Sequence, residues 1–191
     1  EISYNFKNYD KAVEYYQDVV ENYNESEYRR ASFYGIININ YQKGESAAAI
    51  KYGENFLKNY SNGELVEDVL YILGNVSSER GESDKANGYY DRLYLITNKA
   101  EMKNNIAEIV LKNSYIVKKY GEMPKWIERV KNRQSKKVWE AMYLEKSGKA
   151  GDAVKIYESV IGDSEVGDRA AYYLGSYYFS IGKYDKARVY L

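Results

Sequence analysis

The chain contains no cysteine and no histidine. Disulfides and thiolate chemistry are excluded, together with the usual zinc ligand sets and Ser-His or Cys-His nucleophile pairs. No glycine-rich loop leads into Lys-Ser or Lys-Thr, so no phosphate cradle is expected. Proline occurs once, at Pro124, and little else forces the backbone out of a helix. Neither charge is in excess: Lys and Arg total 28, Asp and Glu total 28, and the formal net charge is +0. A surface built for nucleic acid shows a basic surplus, so nucleic acid is not an expected partner. No apolar run is long enough to span a bilayer. Carboxylates are plentiful, but solvated helix faces with i,i+4 partners account for them. An acid–base pair needs a pocket and shifted pKa values, which residue spacing does not show. No catalytic residue, cofactor or metal is therefore expected. Asn24-Glu25-Ser26, Asn59-Tyr60-Ser61 and Asn75-Val76-Ser77 match the glycosylation triplet, as chance provides in an Asn- and Ser-rich chain.

What the chain does have is tyrosine, 24 in 191 residues, within a hydrophobic content of 45% that suffices for a buried core. The length suits one large domain or one continuous repeat array. An internal repeat is visible in Gly44 with Ala49, Gly81 with Ala86, Gly148 with Ala153 and Gly182 with Ala187, each pair five residues apart. Lys7 with Ala12 is a further copy, and Gly121 with Trp126 fills the gap between Ala86 and Ala153. There Pro124 would sit in the first turn of a helix, where it is tolerated. The register anchors are thus Ala12, Ala49, Ala86, Trp126, Ala153 and Ala187, over a single array spanning 1–191.

Apolar residues before each turn recur at three and four, as in Phe33, Ile36 and Ile37 or Leu70, Leu73 and Gly74. Small residues seven positions before the turn, such as Gly74, Ala141 and Gly175, would let a second helix approach closely; Ile37 and Ser114 are read at the same place. After each turn follows a second amphipathic stripe, for example Ala86, Tyr89, Tyr90 and Leu93. Asp10, Ser46, Ser83, Asp84, Asp152 and Asp185 lie at these helix starts, where they can cap free amides or favour the positive helix end. The pattern predicts a helical remnant over 1–6, then helices over 9–22, 27–43, 46–59, 64–80, 83–97, 101–120, 123–132, 135–147, 150–162, 166–181 and from 184 onward. Residues 123–147 are also readable as one bent helix.

Ala171, Leu174, Gly175 and Tyr178, followed by Gly182, Ala187 and Leu191, resemble the tetratricopeptide repeat pattern. The consensus tryptophan and closing proline are missing, with Asn24, Ser61 and Asn98 in the proline place. The segment Ala49 to Gly74, ending its second helix in Phe56-Leu57 and Tyr60, is similar to the tetratricopeptide-like repeats of bacterial periplasmic and outer-membrane lipoproteins. These serve envelope assembly or associate with Tol-Pal. The resemblance implies an all-α fold, a right-handed α-solenoid of antiparallel helix pairs, with about five repeats and truncated ends. It implies a periplasmic or cell-envelope location, with the cytoplasm as the alternative.

In the resembled family, ligands are met by the concave face, which first helices line. By position, that face carries Tyr34, Asn38 and Tyr41, then Tyr71, Asn75 and Ser78, then Val138 and Met142, then Tyr172, Ser176 and Phe179. Asparagine offers a donor and an acceptor to an extended backbone, and tyrosine a flat apolar wall with a polar tip. Tyrosines at helical spacing also serve simply as packing between neighbouring helices. The basic clamp of the chaperone-tail-binding subclass is absent, since its lysine place holds Tyr34, Tyr71 or Tyr172. The expected function is a scaffold that binds a protein or peptide partner. A regulatory or targeting module of a larger enzyme or envelope complex is the second reading, and helical-repeat RNA binding the third. The chain reads as a piece of a longer one, and its last helix is expected to self-associate end to end.

Overall fold

The computed structural model describes residues 9–191, so the predicted remnant over 1–6 and the anchor Lys7 lie outside the described residues. The described residues form eleven α-helices and one short 3-10 turn, with no strand among them. The chain divides into two compact units, 1–98 and 99–191. Unit 1 holds α1 (Tyr9–Asn22), α2 (Arg29–Gln42), α3 (Ser46–Asn59), α4 (Val66–Glu79) and α5 (Ser83–Ile96). Unit 2 holds α6 (Ala100–Ile116), α7 (Met123–Ile127), α8 (Arg133–Lys146), α9 (Ala150–Val160), α10 (Gly167–Ser180) and α11 (Tyr184–Tyr190). Within each unit successive helices pack as hairpins, and first helices also touch one another, α2 with α4 and α8 with α10.

The tight turns explain the glycine spacing. Gly44, Gly81, Gly148 and Gly182 have φ of +73°, +76°, +80° and +74°, in the left-handed region. A residue without Cβ adopts it at least cost. The turn at Gly44 closes with Gly44 N–H on Tyr41 O at 3.0 Å and Glu45 N–H on Asn40 O at 2.8 Å. This pairing consumes carbonyls that the helix end would otherwise leave bare.

In the degenerate repeat the left-handed residue is Lys118, with φ +62°, and not Gly121. Lys118 N–H meets Tyr115 O at 3.2 Å and Lys119 N–H meets Ser114 O at 2.8 Å, the same pattern as at Gly44. The anchor five residues on is therefore the fully buried Met123, which replaces Trp126. The residue seven before the turn becomes Leu111 in place of Ser114. With this register the steps from Ala12 to Ala49, to Ala86 and to Met123 are each 37, then 30 to Ala153 and 34 to Ala187.

Two further expectations shift. The second helix predicted over 123–132 stops at Ile127, and α8 starts afresh at Arg133. Asn132 caps it, accepting from Gln134 N–H at 3.0 Å and Ser135 N–H at 2.9 Å, which rules out one bent helix over 123–147. Side-chain capping is otherwise absent from the starts of α3, α5, α9 and α11, where Glu45, Glu82, Lys149 and Lys183 occupy the cap position. Asp10, Asp84, Asp152 and Asp185 lie inside the first turn, where they act on the helix dipole.

The core follows the predicted stripes. Phe33, Ile37, Leu70, Leu73 and Leu93 are fully buried in unit 1, as are Ile106, Leu111, Val138, Ala141 and Leu174 in unit 2. Phe33 meets Phe56 edge to face at 6.3 Å between centroids. Close approach at Gly74 is real: a Cβ there would lie 2.5 Å from Cε1 of Tyr90. On α11, Tyr184 and Val189 are exposed.

Candidate protein-interaction face

The turn residue gives every first helix a common scale. Tyr34 and Tyr71 stand ten residues before it, Asn38 and Asn75 six, Tyr41 and Ser78 three. The same places in unit 2 hold Glu108, Val138 and Tyr172, then Lys112, Met142 and Ser176, then Tyr115, Glu145 and Phe179.

In unit 1 these side chains are tied to one another. Asn75 Nδ2 donates to Tyr41 Oη at 3.3 Å, and Tyr90 Oη donates to Asn75 Oδ1 at 2.6 Å. Asn75 thus joins α2, α4 and α5, and one amide hydrogen is left for anything else. Burial, above all, pushes the Tyr90 hydroxyl well above the ordinary tyrosine range, and the neighbouring Tyr71 and Tyr41 add to the shift. Gln42 Nε2 donates to Asn38 Oδ1 over a long 3.4 Å. Tyr34, Asn38, Tyr41 and Ser78 are half-buried, while Tyr71 is exposed.

In unit 2 the corresponding surface opens into a groove of about 460 Å³. Lys112, Tyr115 and Ile116 come from α6, Trp139, Met142, Glu145 and Lys146 from α8, and Tyr172, Tyr173, Ser176 and Ser180 from α10. Tyr115 meets Tyr173 edge-on at 6.1 Å, and Tyr173 stacks on the buried Tyr157 at 6.3 Å. The Tyr157 hydroxyl and the Trp139 indole N–H are buried without a hydrogen-bond partner. Burial pushes the Tyr157 and Tyr115 hydroxyls upward. Lys146 Nζ meets Glu145 Oε1 at 2.6 Å and lies 5.5 Å from the Tyr115 ring centroid. Burial works to lower the Lys146 ammonium, and the Glu145 carboxylate overrules it, so the net shift is upward.

Beside the groove a polar chain fixes the three first helices. Ser135 Oγ donates to Glu108 Oε1 at 2.6 Å and accepts from Arg169 at 2.8 Å. The Arg169 guanidinium lies 5.4 Å from the Trp139 ring centroid, holding that ring in place.

Of the residues the sequence placed on this face in unit 2, Tyr172 and Ser176 line the groove, as does Met142. Val138 is fully buried in the core instead. Phe179 is exposed and packs edge-on against Tyr184 at 5.3 Å, toward the turn. Sequence reasoning missed Lys112, Tyr115, Trp139, Glu145, Lys146 and Tyr173. The signal was present: setting the turn at Lys118 makes Tyr115 the counterpart of Tyr41 and Lys112 that of Asn38. Among the described residues no helix is long and apolar enough to cross a membrane.

The fold has solved counterparts. A tetratricopeptide repeat protein from Parabacteroides merdae superposes with a TM-score of 0.74 at 15% identity, over 100% of this chain and 75% of that one. The MamA protein gives 0.64 at 18% identity, over 86% and 89%. At such identity the likeness establishes the tetratricopeptide-like solenoid fold, a framework generally used for protein–protein interaction. No curated protein sequence matches the chain. A tetratricopeptide repeat family model matches residues 140–191, and the model described as YfiO, outer membrane lipoprotein, matches residues 1–122. With that match over more than half its length, the chain belongs to the YfiO family of outer membrane lipoproteins.

Proposed function

We propose that this protein is a non-enzymatic scaffold on the periplasmic side of the cell envelope, holding a peptide or protein partner on the faces that its first helices present. The observation that carries the reading is the side-chain inventory of those faces. Tyr34, Tyr41 and Tyr71 in unit 1 and Tyr115, Tyr172 and Tyr173 in unit 2 present large amphipathic surfaces interleaved with Asn38, Asn75, Ser78 and Ser176. Aromatic side chains of this kind are enriched where protein surfaces meet, because they bury much area at low entropy cost. Family membership supports the envelope location.

Site-specific photo-crosslinking in an envelope preparation tests the proposal. A benzophenone amino acid at position 71 or 172 should capture the same partner polypeptide. The same probe at position 15, exposed on the second helix α1, should capture none of it. Equal capture from position 15, or none from 71 and 172, removes the proposed face.

A further inference from the structure

The groove of unit 2 has a lopsided stock of hydrogen-bonding groups. Its one carboxylate, Glu145, is already engaged by Lys146 at 2.6 Å. Lys112, on the α6 side, is exposed and makes no ion pair among the described residues. Trp139 is 5% exposed and its indole N–H has no acceptor. The groove therefore carries one positive charge, Lys112, with no ion-pair partner among the described residues. Its walls are apolar: Ile116 is 63% exposed and Tyr172 59%, with Tyr115, Tyr173 and Met142 between them. Its volume of about 460 Å³ falls in the range of clefts that hold several side chains. Three helices contribute in turn, so a segment laid across the groove meets each of them.

We infer that this groove binds an extended internal segment of a partner protein in which an acidic side chain stands next to a large apolar one. The inference rests on the reading that the first-helix faces bind protein. The carboxylate pairs with Lys112, which makes no ion pair among the described residues. The apolar side chain lies against Tyr115, Tyr172 and Tyr173. A basic segment is disfavoured, because the only carboxylate present is taken.

The test uses the full 191-residue chain and synthetic octapeptides capped at both ends, read by calorimetric titration. One probe carries Glu-Phe at its centre in a Gly/Ser background, a second Gln-Phe, a third Glu-Ala. A fourth carries Gln-Phe with a free C-terminal carboxylate. The Glu-Phe probe should bind about fivefold more tightly than either the Gln-Phe or the Glu-Ala probe, the size of one exposed charge pair or one half-buried ring. Lys112→Gln, a change on an exposed helix position, should erase the Glu-over-Gln preference and keep the Phe-over-Ala preference, with unchanged helicity by circular dichroism. Tyr172→Ala should do the reverse. The inference is overturned if Glu and Gln probes bind alike, if no probe binds, or if the preference survives in Lys112→Gln. Tightest binding by the free-carboxylate probe also overturns it, since the groove would then read chain ends. Failure here with photo-crosslinks still confined to positions 71 and 172 sinks this inference alone. Loss of both sinks the scaffold reading as well.

Discussion

Unit 1 and unit 2 carry the same three-residue frame with one exchange. A tyrosine three residues before one turn, a residue six before the next, and a tyrosine nine after it are Tyr41, Asn75 and Tyr90 in unit 1. In unit 2 they are Tyr115, Met142 and Tyr157. With asparagine in the middle both hydroxyls are bridged, at 3.3 Å and 2.6 Å. With methionine there the Tyr157 hydroxyl is left buried and unmatched, and its ring finds Tyr173 instead. An amide that satisfies its neighbours closes a face. A thioether, flexible and without a strong acceptor, leaves polar demand unmet and space beside it. A break in a local rule marks the place where a molecule has something left to offer.

The largest expected effect falls on both units together. Burial first, then the neighbouring Glu54 carboxylate, pushes the Tyr89 hydroxyl up to about 12. Tyr90 and Tyr157 are also held above the ordinary range by burial. A group whose folded pKa is raised stabilises the fold fully below its unfolded value, here about 10, and loses that contribution as pH rises past it. Melting temperature should therefore be flat from neutral pH to about pH 10 and fall steeply above it, with tyrosinate absorbance at 295 nm rising alongside unfolding. An absorbance change that accounts for all 24 tyrosines near pH 10 in a chain that stays folded would show that these hydroxyls are not held in either unit.

Next in size is Asn75→Met, which imposes the unit 2 arrangement on unit 1. It strands the Tyr90 hydroxyl, and a buried unmatched hydroxyl costs about 1–3 kcal/mol. Hydrogen exchange in α4 and α5 should accelerate accordingly, with α8 and α9 unchanged. No acceleration would mean that the Tyr41–Asn75–Tyr90 bridge contributes nothing net.

The smallest effect belongs to the reverse exchange, Met142→Asn. It gives Tyr157 an acceptor worth about 0.5–1.5 kcal/mol and removes the burial of the enclosed Met142 side chain, worth about 1.5–3 kcal/mol. A net loss of about 1 kcal/mol relative to the parent is expected by urea unfolding. A loss well beyond that would show that Met142 is not the structural counterpart of Asn75.

Most of the architecture was legible in the sequence because glycine and alanine mark it directly. The helices over Tyr9–Asn22 and Ser46–Asn59 begin and end where periodicity put them. The degenerate repeat misled for a physical reason. Its left-handed residue is a lysine, so the glycine search settled on Gly121, three residues late. That slip hid Tyr115 and Lys112, and the groove with them. Trp139 and Tyr173 were hidden differently. They stand nine residues before their turns, one position outside the stripe assigned to the face, and only side-chain geometry shows them reaching it.

The constant step has a consequence of another kind. Tandem copying leaves equal spacing, since each copy inherits its template's length. Three steps of 37 have the regularity that such copying leaves, and the steps of 30 and 34 that follow do not. The YfiO match ends at residue 122, next to Met123, where the spacing changes, and the other repeat match begins at 140. The spacing changes at α7, the five-residue helix that opens on Met123.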